Sequence, residues 1–160
     1  MSNAAGKIQE DEGRMHVFTT LSGADTIEVG RQLVRVLKPP QLLILRGDLG
    51  TGKTTLVKGI AEALDAAEAD EVTSPTFTLI HEYDGARDGK PVKLFHLDVY
   101  RLEGERQLET LGLDELLTPE ALVLVEWGEK FKSIRKRATG EIAITATGGD
   151  ARKITVTLKE

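Results

Sequence analysis

The sequence contains no cysteine, which removes disulfides and thiolate metal sites from consideration and is compatible with a reducing compartment. No apolar run approaches the ~20 residues that a membrane-crossing helix needs. A basic balance is also missing: the net charge is −5, and attraction of a whole surface to nucleic acid requires clustered Lys and Arg. The first residues, MSNAAGKIQEDEGR, lack the basic-then-apolar order of a secretory signal. These absences lead us to expect a cytoplasmic protein without a membrane association.

With 160 residues, 40% of them hydrophobic and 29% charged, the chain has the size and composition of one globular domain with a real core. Ser2-Asn3-Ala4 resembles a cloning remnant, so residues 1–13 are expected to be disordered or tag-derived. Residues 14–160 are expected to form a single domain. One local patch departs from the acidic balance: KFKSIRKR, Lys130 to Arg137, has five cations in eight positions. It reads as a solvated helix face, with a phosphate, RNA or partner contact as the rival reading.

Hydrophobic periodicity organises the rest. Met15–Thr20 is a strand candidate. Ser22 with Asp25 resembles a capping box, and Ile27, Val29, Leu33, Val34 and Leu37 keep helical spacing until Pro39-Pro40. Leu42–Leu45 is continuously apolar, the mark of a strand covered on both faces. Leu56, Val57, Ile60, Ala61 and Leu64 give the next helix one apolar side. Pro75 makes VTSPTFT an extended loop. Phe77–Tyr83 and Val92–Val99 read as a hairpin joined by DGARDGK. Glu105–Leu117 is predicted helical with an interruption near Gly112, and Ala121–Val125 is a second fully apolar strand. Glu141–Thr147 and Lys153–Leu158 alternate around TGGDAR as a terminal antiparallel pair. Buried strands alternating with helices predict an α/β three-layer fold, with a mostly parallel central sheet flanked by helices and antiparallel hairpins at the edges.

The stretch GDLGTGKT makes that fold P-loop NTPase-like. Gly47, Asp48, Leu49, Gly50, Thr51, Gly52, Lys53 and Thr54 match G-x-x-x-x-G-K-[ST] between a buried strand and an amphipathic helix, where the mechanism needs them. Glycines let successive N–H groups turn toward phosphate without a side chain in the way. Lys53 brings a point charge near the β and γ phosphates, and the Thr54 hydroxyl can ligate Mg²⁺. The helix opening at Thr54 adds its positive dipole end. No Asn-Lys-x-Asp occurs, so ATP is a better fit than GTP.

A magnesium nucleotide site wants an acid at the end of a neighbouring buried strand. Glu126, closing ALVLVE, is the magnesium-side carboxylate on this reading, acting directly or through water. In VKLFHLDVY a period of two puts His96, Asp98 and Tyr100 on one face. Asp98 can orient or deprotonate an attacking water or help hold the metal, and a hydrogen-bonded structural role stands beside these. His96 reads as structural. Thr73, Ser74 and Thr76 offer hydroxyls on a loop that could sense the γ-phosphate, or form a simple turn.

GDLGTGKTT, SPTF, HLDVYRL, GLDEL and VEWGEK, in that order from about Leu21 to Lys130, resemble the bacterial TsaE (YjeE) family of P-loop ATPases. The resemblance implies an ATPase that works with TsaB and TsaD in placing a threonylcarbamoyl group on the adenosine beside the anticodon of certain tRNAs. It implies that hydrolysis resets the assembly between cycles and is weak without the partners, with tRNA an indirect substrate. Carried onto this chain, it gives Lys53 and Thr54 to phosphate and Mg²⁺, adds Thr55 to the loop, makes Asp98 and Glu126 functional acids and makes Ser74–Thr76 a switch-like segment. Trp127 beside Glu126 reads as a packed aromatic. Two readings of other classes stand against it: a small-molecule kinase using KFKSIRKR as a lid, and a nucleotide-gated binding module without hydrolysis.

Overall fold

Four consecutive apolar residues, Leu42 to Leu45, require cover on both faces of the strand they form. The computed structural model, which describes residues 9–11, 15–48, 50–75 and 79–159, supplies that cover from two helical layers. In chain order, β1 (Gln9–Asp11) and β2 (Met15–Thr20) lead to α1 (Gly23–Leu33), and β3 (Gln41–Arg46) leads to α2 (Lys53–Ala63). Next come β4 (Ile80–Arg87), β5 (Lys90–Asp98), the short helices α3 (Glu105–Glu109) and α4 (Leu113–Leu116), and β6 (Ala121–Glu126). Helix α5 (Lys132–Arg137) and the strands β7 (Gly140–Gly148) and β8 (Ala151–Leu158) complete the chain.

All eight strands join one sheet in the order β1-β2-β8-β7-β3-β6-β5-β4. The pairings β7–β3, β3–β6 and β6–β5 are parallel, whereas β1–β2, β2–β8, β8–β7 and β5–β4 are antiparallel. The sheet is therefore mixed, and the expectation of a mostly parallel sheet holds only for its four central strands. The reason is local: both hairpins extend the sheet, and β2 adds its own antiparallel pairing with β8. Strand β1 lies within the N-terminal stretch left out of the fold by the sequence reading, yet its backbone pairs with β2. Residues 1–8 and 12–14 lie outside the described residues.

Alternate residues of each central strand serve opposite faces. Leu43, Leu45, Leu94, Leu122 and Leu124 join a core with Val29 and Leu33 of α1 and Leu56 and Ile60 of α2. Leu42, Ile44, Leu97, Val123 and Val125 join a second core with Leu108 of α3, Leu113 of α4 and Ile134 of α5. The two helices of the first layer touch backbone to backbone. A methyl group on Gly59 would overlap the Ile27 carbonyl oxygen, and one on Gly30 would overlap that of Leu56.

Several local signals have direct structural counterparts. Ser22 Oγ accepts the Asp25 N–H at 3.1 Å, and Asp25 Oδ2 accepts the Leu21 N–H at 3.0 Å, so the reciprocal half of the capping arrangement falls on Leu21. Helix α1 stops at Leu33, several residues before the prolines. The hairpin is tighter than DGARDGK implies: β4 runs to Arg87 and β5 starts at Lys90, with Asp88 (φ 53°) and Gly89 (φ 79°) as a two-residue turn. Positive φ at both positions is the geometry of an Asp-Gly turn that matches strand twist. No helix among the described residues is long and apolar enough to cross a membrane.

Candidate phosphate-binding site

Strands β3, β6 and β5 reach their C-terminal ends together, with Leu45 in register with Glu126 and Glu126 in register with Asp98. On the face that carries α2, each strand is apolar and then changes: Leu43-Leu45-Gly47, Leu122-Leu124-Glu126 and Leu94-His96-Asp98. A ligand crevice at the carboxyl ends of parallel strands follows from this arrangement. The crevice is a cleft of about 650 Å³ whose lining includes Gly52, Lys53, Thr54, Ser74, Asp98 and Glu126.

The loop between β3 and α2 wraps one end of this cleft. Gly52 has φ 110°, a conformation that side chains resist, and α2 begins at Lys53. A Cβ on Gly47 would come within 2.6 Å of Thr51 Oγ1. The Thr51 hydroxyl itself donates to the Asp48 carbonyl oxygen at 2.8 Å, fixing the turn. Gly50 and Thr55 also line the cleft. Gly47, Asp48 and Thr51 instead line a groove on the other side of the loop. Leu49 and Thr76 lie outside the described residues.

Lys53 is almost fully buried, and its ammonium donates to the Gly47 carbonyl oxygen at 2.7 Å. The same nitrogen is 3.5 Å from Glu126 Oε1 and 5.2 Å from the centre of the Trp127 ring. The other Glu126 oxygen, Oε2, meets His96 Nε2 at 2.6 Å. His96 has no exposed surface, and among the described residues its Nδ1 has no hydrogen-bond partner. Burial pushes the Glu126 carboxyl up, but the hydrogen bond and charge of His96, followed by the nearby Lys53 ammonium, outweigh it and hold the group below its ordinary value. His96, read from the sequence as structural, is thus the direct partner of the candidate acid.

Asp98 is also buried, and its Oδ1 accepts the Tyr100 N–H at 2.9 Å. The backbone locks both acids together, since the Val99 N–H donates to the Glu126 carbonyl oxygen at 3.1 Å. Past the acids, Tyr100 packs on Trp127 with ring centres 4.9 Å apart. Trp127 holds φ 66°, packs as an aromatic against the second core and also lines the cleft.

Three cations of the Lys130–Arg137 patch are engaged by the protein itself. Lys130 donates to the carbonyl oxygens of Tyr100 and Leu102, Arg135 to that of Glu129, and Arg137 grips Asp114 through both Nε and Nη2. The patch is largely a braced helix face. A residue that the motif reading misses is Arg152 of β8, whose guanidinium donates to the Thr51 carbonyl oxygen at 2.7 Å. Only the tertiary pairing of β8 reveals it.

The chain is similar to known proteins over most of its length. Residues 20–154 match the family model described as "Threonylcarbamoyl adenosine biosynthesis protein TsaE". The chain is 41% identical to the tRNA threonylcarbamoyladenosine biosynthesis protein TsaE of Bacillus subtilis (strain 168), over 88% of this chain and 84% of that protein. It is 39% identical to the protein of that name from Streptomyces coelicolor, over 81% of this chain and 88% of that one. A crystal structure of Bacillus subtilis YdiB superposes with a TM-score of 0.65 at 32% identity, covering 96% of this chain and 88% of that one.

Proposed function

This chain belongs to the threonylcarbamoyl adenosine biosynthesis protein TsaE family, whose work is the threonylcarbamoyladenosine modification of tRNA, and from that premise we propose that its own part is ATP hydrolysis. The observation that supports this reading best is the convergence of the Gly47–Thr54 loop, Lys53 and two buried carboxylates at one end of the parallel strands.

The residues present fit a magnesium nucleotide. The loop is closed to side chains at Gly47 and turned by the left-handed Gly52, as a cradle of inward N–H groups requires. Lys53, the loop amides and the N-terminus of α2 hold the phosphates. Thr54 lines the same cleft, and its hydroxyl would be the metal ligand contributed by the loop, with Thr55 beside it. Magnesium, when bound, neutralises charge developing between the β and γ phosphates. Both Glu126 oxygens are already engaged, by His96 and Lys53, so Glu126 serves the metal side through water. Asp98, fixed by the Tyr100 N–H, orients the attacking water. Ser74 at the cleft, with Pro75 and Thr76 following it in sequence, belongs to the segment that responds to the terminal phosphate.

TsaB and TsaD are the partners with which the cycle runs, and tRNA is the indirect substrate. Hydrolysis by the chain alone should be weak, as suits a switch completed by its partners. The test is reconstitution with purified TsaB, TsaD, tRNA, Mg-ATP and an activated threonylcarbamoyl donor. Modified tRNA and phosphate release should both depend on this chain and both fail with Lys53→Ala. Full modification with that variant, or phosphate transferred to a small acceptor instead of water, would refute the reading.

A further inference from the structure

All three guanidinium nitrogens of Arg152 are used on backbone carbonyl oxygens. Nε donates to Thr51 at 2.7 Å and Nη2 reaches Gly50 at 3.4 Å, while Nη1 donates to both Gly149 and Ala151 at 2.8 Å. One side chain therefore ties the tip of the last hairpin to the outer side of the phosphate loop, across 101 positions of sequence.

The hairpin is shaped for that reach. Its register shifts between Ala146 and Gly148, and Gly148 and Gly149 take φ values of 142° and 53°. An irregularity of this kind re-aims a neighbouring side chain. Arg152 is anchored on both sides by pairing, with Ala146 of β7 and Thr20 of β2.

The contact has a consequence inside the loop. In a trans peptide the carbonyl of one residue and the N–H of the next point in opposite directions. Holding the Thr51 oxygen outward turns the Gly52 N–H the other way, toward the side where Lys53 and the cleft lie. The Thr51 N–H is already committed to the Asp48 carbonyl oxygen at 3.2 Å, which leaves the Gly52 amide as the donor that Arg152 sets. We propose that Arg152 is a positioning residue for nucleotide binding, a fork that presets the Gly52 amide for phosphate. The proposal rests on the nucleotide reading of the cleft and assigns to β8 a part in that site.

A fork that engages several oxygens at once is particular to arginine; a lysine keeps the charge but not the planar set of donors. The experiment compares wild type, Arg152→Ala, Arg152→Lys and Lys53→Ala in the full chain. Calorimetry with Mg-ATP reads affinity, ¹⁵N relaxation reads order at Gly50, Thr51 and Gly52, and thermal unfolding reads the fold. Both Arg152 variants should lose about tenfold in affinity, the scale of one charge-assisted hydrogen bond. Order should fall at Thr51 and Gly52, with the unfolding transition still cooperative. Lysine restoring full affinity would show that charge alone matters and overturn the proposal, as would unchanged order at Gly52 in Arg152→Ala. Absence of Mg-ATP binding by wild type would sink the nucleotide reading instead, while the relaxation data would still decide whether Arg152 sets the loop.

Discussion

His96 and Glu126 form a hydrogen bond of 2.6 Å between neighbouring parallel strands, with His96 fully buried and Glu126 nearly so at the edge of the cleft. A carboxylate this buried persists as an anion only with partners, and among the described residues His96 and Lys53 serve it. Its carboxyl lies below the ordinary 4.5, because those partners outweigh burial.

That shift predicts an acid dependence of stability. The unfolded chain takes up the proton near pH 4.5 and the folded one only at lower pH, so the stabilising contribution is complete above 4.5 and is lost as pH falls through the folded value. Urea unfolding from pH 6 to pH 3 should show wild type losing more stability than Glu126→Gln, whose neutral amide has no charge to lose. Parallel curves would show that the carboxylate is not held as described.

Lys53→Ala removes the ammonium that spans Gly47 and Glu126. We expect affinity for Mg-ATP to fall by about two orders of magnitude, as suits a lost charge-assisted contact to phosphate. Circular dichroism should stay that of the folded protein. Calorimetry on both proteins checks it.

Gly59→Ala sets helix propensity against packing. In an open helix the change would stabilise by about 1 kcal/mol, but here the methyl group would meet the Ile27 carbonyl oxygen of α1. Pushing two packed helices apart costs about 2 kcal/mol. Chemical denaturation should therefore show net destabilisation, and a gain in stability would contradict the close α1–α2 contact.

Trp127 is the one tryptophan of the chain, and its ring centre is 5.2 Å from the Lys53 ammonium. Drawing that ammonium toward phosphate changes the field at the indole. Mg-ATP should alter the emission of wild type and leave that of Lys53→Ala unchanged.

Much of this molecule could be read along the chain because the relevant physics is local. The apolar runs at Leu42–Leu45 and Ala121–Val125 became the central strands, and Ser22 capped α1 as its spacing required. The Gly47–Thr54 loop needed only its own residues and the elements flanking it. What stayed hidden depends on neighbours distant in sequence. His96 alternates correctly onto the cleft face, yet its role as the partner of Glu126 comes from the β5–β6 register. Arg152 looked like part of a polar turn, since nothing near it indicates that β8 lies beside the phosphate loop. Both antiparallel hairpins were legible in their alternation and turn residues, whereas nothing local indicates that β2 pairs antiparallel with β8 and β1 with β2, which makes the sheet more mixed than expected.

The hydrogen bond from Arg152 to Thr51 also bears on how the protein is made. Synthesis proceeds from the N-terminus, and early segments can fold before later ones exist. A nascent chain carries the whole phosphate loop long before it carries its outer support, because the two are 101 positions apart. Until β8 has been made that hydrogen bond cannot form, so the loop lacks this brace for most of the chain's synthesis.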